Sequence, residues 1–373
     1  MARITLREKM DAIAPSVAGI TNIVYIPVVG DKAEIKLYED KDDFTLTKPE
    51  DKKALISYNM AEKLLENGSQ VLYETFISID DMTFEHLKDK GKYPLRFICL
   101  GGYVSEDSKT ELEAKIIDVA TDRGDCIALI DISPKSEDFN YITDVQTKAD
   151  KCKSEYAAMF TPLCKFDSDD NYYPGSFAYL LAYTESIKSN DSWFAAAGAV
   201  RGRVPGLESL SYEYGEKEIN DNLYHTKENA ISVNPIMEVR PYGYLVWGNR
   251  TLAANNIEGI PESNDETYAT TAKSFLNVRH ICCEIKQQAY AAAKRMTFEP
   301  NSDITWINFK ALITPLLDRM VSNSGIRGYK VTKLETKAKV KGLLKCKIRI
   351  VPIEAVEDFD IVLELADELE VTE

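Results

Sequence analysis

The sequence predicts a multidomain chain of the α+β or α/β class, with an α/β layer domain followed by a C-terminal α+β domain. Three observations lead there. Between 95 and 132 the chain reads as the apolar run LRFICL, then Gly101-Gly102, then a polar-capped helix over about 108–121, then the apolar run CIALIDI. That is a βαβ unit, a motif that is parallel and right-handed in nearly all proteins. Between 273 and 301 the apolar residues Val278, Ile281, Cys282, Ile285, Ala289, Ala292, Ala293 and Met296 share one face of a long helix. Residues 255–265, NNIEGIPESND, form the clearest linker and separate the two patterns.

The elements follow in order. Residues 3–7 alternate as a short strand, and 10–15 read as a connection. Residues 20–29 predict a buried strand, placed at a sheet edge because Pro27 interrupts it. Residues 51–65 predict a helix with Ala54, Leu55, Tyr58, Ala61 and Leu65 on one side, closed by Asn67-Gly68. Residues 70–77 predict the next strand. After the βαβ unit, 149–160 read as a helix, and 177–186 as another opened by Pro174-Gly175-Ser176. Residues 201–235 have few apolar anchors and read as loops with short strands, and 244–249 as a strand.

The long helix stops where Pro300 pushes its predecessor out of helical backbone. A second helix is expected over 303–321, capped by Ser302 or Asp303, kinked at Pro315 and ended by Gly325. Strands are expected at 329–336 and 343–353. In the latter, Leu344, Cys346, Ile348 and Ile350 alternate with Lys345, Lys347 and Arg349. Last comes 359–365, with Phe359, Ile361, Leu363 and Leu365 on one face.

Composition narrows the function classes. The 373 residues carry a net charge of −15, which argues against a general nucleic-acid binder. Seven cysteines without a CxxC read as free thiols in a reducing compartment. No secretory leader is expected from MARITLREKM, and no apolar run is long enough to span a membrane. Charge is unevenly distributed. Residues 273–354 hold sixteen basic and six acidic side chains, whereas 357–373 are strongly acidic. That asymmetry suggests self-association or a charged partner, against the plainer alternative of a solvated surface.

No catalytic constellation emerges. Gly101-Gly102 could cradle a phosphate, but there is no G-x-G-x-x-G or GK[ST], and a tight strand-to-helix turn explains the pair. His86, His225 and His280 have no metal-ligand spacing, and His280 reads as structural. Cys282 and Cys283 point about 100° apart on a helix and cannot grip one metal. No cofactor is expected. On residues alone, a structural protein, an α/β enzyme using the Gly101-Gly102 turn and a binding module all stay open.

The wording of the long helix is more specific than its periodicity. Phe275-Leu276-Asn277-Val278-Arg279, followed by Phe298-Glu299-Pro300-Asn301 and Trp306, resembles the C-terminal domain of contractile-tail sheath proteins. These form the outer cylinder of myophage tails and related injection machines. Further segments fit in the same order: MAEKLLENGSQVLY at 60–73, CIALIDISP at 126–134, SEYAAMFTPL at 154–163 and the Pro174 segment. SWFAAAGAV at 192–200, 229–233 and GYLVWGNRT at 243–251 complete the series, the last through Trp247, Gly248, Arg250 and Thr251. Two departures stand out. Ala197 replaces a usual proline, and the family's long N-terminal β-region is missing.

The resemblance implies no enzyme activity. It implies hexameric rings stacked helically around an inner tail tube, with baseplate and terminator proteins as further partners, and neither nucleic-acid binding nor membrane insertion. It places the protein in a virion-type tail assembled in the host cytoplasm, contracting to drive the tube through an envelope. It divides the chain into an arm (1–19), an N-terminal part of the core (20–90), a middle domain (91–260) and a tube-proximal C-terminal domain (261–373). The sheet of that last domain is expected to be completed by terminal strands of neighbouring subunits, here through Ile4, Leu6, Phe359, Ile361, Leu363 and Leu365. Arg279, Lys286, Lys294, Lys310 and Arg319 are the candidates to face the tube.

Overall fold

Burial sorts the apolar runs into strands and helices. The computed structural model describes residues 22–104, 112–133, 139–166, 170–224, 231–253, 272–334 and 342–356. The arm strand at 3–7, the linker at 255–265 and the terminal strand at 359–365 lie outside the described residues.

The first strand, β1 (Ile23–Val29), is followed by β2 (Glu34–Tyr38), helix α1 (Lys52–Glu66) and β3 (Gln70–Phe76). Asp51 caps α1 by accepting a hydrogen bond from the Ala54 amide at 2.9 Å, and Gly68 takes the left-handed turn that ends it, with φ +92°. The βαβ unit comes next as β4 (Phe97–Ile98), α2 (Leu112–Arg123) and β5 (Ile127–Ile130), with β4 and β5 adjacent and parallel. Then come α3 (Thr143–Lys151) and β6 (Ala157–Thr161). The short strands β7 (Cys164–Phe166), β8 (Tyr172–Tyr173) and, further on, β9 (Leu207–Leu210) form a small separate sheet. Helix α4 (Gly175–Ile187) and the single turns α5 (Gly198–Arg201) and α6 (Glu216–Glu218) lead to the hairpin β10 (Asn234–Val239) and β11 (Gly243–Val246). The chain continues as α7 (Leu276–Met296), α8 (Asp303–Ser322), β12 (Ile326–Leu334) and β13 (Lys345–Pro352).

One mixed eight-stranded sheet, in the order β11-β10-β6-β5-β4-β1-β3-β2, carries the main core. Strands from 23–76 and from 97–246 share it, so the expected boundary at 90/91 runs through a single sheet. β12 and β13 form a separate antiparallel ribbon that packs with α7 and α8 on two small clusters of its own.

Two expectations are corrected. Pro27 does not put β1 at an edge, because β1 lies between β3 and β4. Its odd residues face β4, with Arg96 and Cys99 amides donating to the Ile23 and Tyr25 carbonyls. β4 pairs with only Val24 and Tyr25, so Pro27, without an N–H, falls past its end. The next amide on that side, Val29, is met at 2.8 Å by the Tyr103 hydroxyl. The helix expected over 149–160 is also wrong. α3 ends at Lys151, and Ala157–Thr161 is a wholly buried strand between β5 and β10. A strand buried on both faces shows a continuous apolar run, which periodicity cannot tell from a buried helix.

Gly101 and Gly102 turn their Cα atoms onto α1. A side chain at Gly102 would overlap the Lys53 carbonyl, and one at Gly101 the Ser57 hydroxyl. The Gly102 amide already donates to Ser57 Oγ at 3.0 Å. The Gly102 amide, which an anion would need, is therefore already taken up by α1. Gly102→Val should cost about 2 kcal/mol or more, since the clashing atom is backbone and cannot swing away. A denaturant midpoint unchanged from the parent would contradict this packing.

At the end of β5, Asp131 accepts from the Ser176 amide at 2.7 Å and from its hydroxyl at 2.6 Å, tying the strand to the start of α4. Burial pushes its carboxyl up to about 6. A folded-state value above the unfolded one means the native state binds the extra proton, so this contribution is full below about pH 4 and is lost as pH rises through 6. Asp131→Asn keeps the acceptor and removes the titration. The stability of the parent relative to this variant should therefore fall between pH 4 and 6 in urea denaturation, whereas a flat difference would exclude the buried proton.

Candidate assembly interface

The C-terminal unit is held to the large sheet by the first half of α7, which is buried on every side from Leu276 to Ile281. Its start is pinned by asparagines. Leu276 N donates to the Asn249 carbonyl at 2.9 Å, Asn249 Nδ2 donates to Asn277 Oδ1 at 2.9 Å, and Asn277 Nδ2 donates to the Ile353 carbonyl at 3.1 Å. One residue pair thus joins the end of β11, the start of α7 and the end of β13. Farther along, Gln287 donates to the Leu95 and Asp125 carbonyls, each at 2.9 Å.

Between these points lies a buried polar cluster. Arg96 is fully buried, with Nη1 3.4 Å from the His280 carbonyl and Nη2 3.5 Å from Glu284 Oε2. Ser192 also donates to Glu284. His280 lies 2.8 Å from the Tyr179 hydroxyl and stacks on Tyr183, and burial together with Arg96 and Arg279 holds its pKa well below the usual value. It is a neutral structural histidine. Trp193 then bridges to the far side, donating from Nε1 to the Asn323 carbonyl at 3.1 Å, while Asp191 binds Arg319 and Asn323.

The residues of the GNRT segment sit in the same joint. Arg250 is buried over the rings of Phe275 and Tyr224. Asn234 accepts from the Arg250 amide at 2.7 Å and donates to its carbonyl at 2.8 Å. A side chain at Gly248 would meet Asn234 Oδ1 at 2.7 Å. Thr251 Oγ1 donates to the Lys273 carbonyl at 2.8 Å.

The five cations singled out in sequence separate. Arg279 is corrected: it is buried, 3.0 Å from Glu155 and stacked on Tyr156, so it is not a surface group. Its place in the apolar first half of α7 decides this, since a helix packed on both sides has no solvated face there. Lys286 reaches the Tyr156 hydroxyl at 3.0 Å, and Lys294 covers the Tyr290 ring beside the Gly91 turn. Both are exposed but lie against their own chain. Arg319 is about half exposed while bound to Asp191. Lys310 is exposed on α8, flanking a stripe where Ile304 and Ile307 are also exposed. Ile4, Leu6, Phe359, Ile361, Leu363 and Leu365 lie outside the described residues.

The ribbon presents two different faces. Tyr329, Val331, Cys346, Ile348 and Ile350 pack inward on the clusters of α7 and α8. Lys330, Lys345, Lys347 and Arg349 are exposed on the other. Among the described residues each strand has one unpaired edge. No group of three or more His, Cys, Asp or Glu among the described residues could hold a metal ion, and no helix there is long and apolar enough to cross a membrane. Sequence reasoning missed the Arg96–Glu284 cluster. The signal was an arginine inside the apolar run LRFICL.

Known structures place this architecture. The chain superimposes on a chain of the sheath complex of an extracellular contractile injection system, PVC, in the contracted state. The TM-score is 0.70 at 18% identity, covering 99% of this chain and 98% of the other. The fold is that of a contractile sheath. The contracted helical sheath of the anti-feeding prophage matches with TM-score 0.65 at 16% identity over 98% and 99% of the two chains. A chain of the six-fold symmetrised anti-feeding prophage baseplate matches with 0.64, 16% identity and 99% coverage of both. No protein-family model matches the sequence. No curated protein matches it either. In this sheath fold, the segments whose wording resembled the family include those that meet at the joint between sheet and α7.

Removing one partner of the buried pair should be severe. Glu284→Ala leaves Arg96 charged and unpaired in the joint, and the expected loss is about 3 kcal/mol. Thermal or urea unfolding reads it directly; a loss below about 1 kcal/mol would mean the pair does not hold the joint.

Proposed function

We propose that this chain is the structural subunit of a contractile sheath, polymerising as stacked hexameric rings around an inner tube and contracting to drive that tube through a cell envelope. The likeness of fold over 98–99% of the chain to sheath chains of contractile injection systems carries this reading. The ribbon supports it, since among the described residues its outer edges are unpaired and a two-stranded ribbon gains stability when further strands are added. Strands at Ile4–Leu6 and Phe359–Leu365 of neighbouring copies would supply them by strand addition. A backbone-paired strand on a flexible arm can follow a large rearrangement, whereas rigid side-chain packing is lost within about an ångström of displacement.

Inner tube, baseplate and terminator proteins are the partners in this reading, in a tail assembled in the cytoplasm. The domain at 261–373 would face the tube and the large sheet would lie at larger radius. Of the surface cations, Lys310 is the best placed to meet an acidic tube, with Lys286, Lys294 and Arg319 as secondary contacts. Such contacts would be weak and weakened further by salt. An enzyme using the Gly101-Gly102 turn is disfavoured by the seating of those glycines on α1.

Electron microscopy of the purified chain should reveal stacked rings or tubes. A chain lacking residues 1–8 should remain soluble and folded but fail to polymerise, and two residues inserted at 11–14 should uncouple contraction. Normal sheaths from the truncated chain would sink the linked-arm mechanism.

A further inference from the structure

The outer face of the β12–β13 ribbon is a ladder of like charge. Lys330 lies directly opposite Arg349, Thr332 opposite Lys347 and Leu334 opposite Lys345. Like charges in direct register destabilise a ribbon. No described carboxylate pairs with any of these four cations, while the neighbouring Lys333 turns instead to Asp303 on α8, 2.6 Å away. Four cations with no described carboxylate beside them, on a two-stranded ribbon whose edges are unpaired among the described residues, call for an anionic strand.

We infer that this ladder is the electrostatic half of a docking site for residues 357–373 of a second copy, and that charge sets the face and register of the incoming strand. The inference rests on the strand-addition reading above and adds what selects the strand. Residues 357–373 contain Glu357, Asp358, Asp360, Glu364, Asp367, Glu368, Glu370 and Glu373 and no lysine or arginine. Side chains alternate along a strand. When Phe359, Ile361, Leu363 and Leu365 point inward, level with Cys346, Ile348 and Ile350, the side chains of Asp358, Asp360 and Glu364 fall on the outer face beside Lys345, Lys347 and Arg349. A slip by one residue would reverse both sets at once, burying carboxylates and exposing the apolar residues. Hydrophobic and electrostatic preferences therefore select the same register. The path of the chain also points to a second copy. Ile353, just beyond β13, is still held by the Gly325 carbonyl and by Asn277, on the β12 side of the strand and opposite its free edge.

The test uses full-length chain from an equal mixture of isotopically light and heavy preparations, assembled at low salt. A water-soluble carbodiimide then joins contacting lysines and carboxylates. The expected products couple Lys345 or Lys347 to Asp358, Asp360 or Glu364, light to heavy, and diminish several-fold at about 0.5 M salt, where screening is within a few ångströms. Couplings confined to one isotope would overturn the second-copy assignment, and their absence in assembled material would overturn the site. This map needs no substitution, so it decides the matter even if a variant misfolds. Independently, the triple variant Lys345→Glu, Lys347→Glu, Arg349→Glu should need about tenfold more protein to polymerise. Adding Asp358→Lys, Asp360→Lys and Glu364→Lys to that chain should restore assembly. Polymerisation of the triple variant at the parent's concentration would overturn the proposal. If a chain lacking 357–373 nevertheless assembles, strand addition itself fails at this end. If that truncation blocks assembly and the charge reversal does not, strand addition stands and the role of charge falls.

Discussion

The burial of α7 between two unlike bodies is the constraint on which the rest of this molecule depends. From Leu276 to Ile281 the helix has no solvent face. One side meets the large sheet through Arg96, Tyr179 and Tyr183, and the other meets α8 and the ribbon through Ile281 and Ile285. A helix buried all round must satisfy every polar side chain it carries. Asn277, Arg279, His280 and Glu284 each find a partner on another element. Those partners are Arg96, Glu155, Tyr179, Ser192 and Asn249, on segments far apart in the chain.

That arrangement separates two differently built sheets. The large sheet has a continuous core of buried apolar residues. The ribbon of β12 and β13 is different. Its inner face rests on two small clusters, its outer face is cationic, and both of its edges are open among the described residues. It is tied at its base by Asn277, beside the bond from Trp193 to Asn323.

The residues whose wording is most family-like take part in the packing of the joint. Gly248, Asn249, Arg250, Thr251 and Asn277 all act in hydrogen bonds or close approach around the joint, with Asn234 as a partner of Gly248 and Arg250. Burial raises the thiols of Cys99 to about 12 and of Cys152 and Cys283 to about 11, which suppresses the reactive thiolate.

The sequence by itself determined the elements whose signals are local. The cap at Asp51, the Asn67-Gly68 stop, the Pro174-Gly175-Ser176 entry to α4, the Ser302 cap and the alternation of β13 all depend on neighbours within a few residues. Only the tertiary structure decided the rest. β6 was hidden because a strand covered on both faces loses its period of two. The interior place of β1 was hidden because a proline is tolerated there only when the adjacent strand is short, and no local pattern records a neighbour's length. Arg279 was read as surface because helical periodicity assumes one solvated face, and α7 has none where Arg279 lies. The cationic ladder was half visible, as Lys345, Lys347 and Arg349 alternate in sequence. Its partner Lys330 lies nineteen residues away in the chain and meets Arg349 only through register. Local chemistry writes the ends and faces of elements; which faces meet, and which stay unpaired, is settled by packing between residues far apart in the chain.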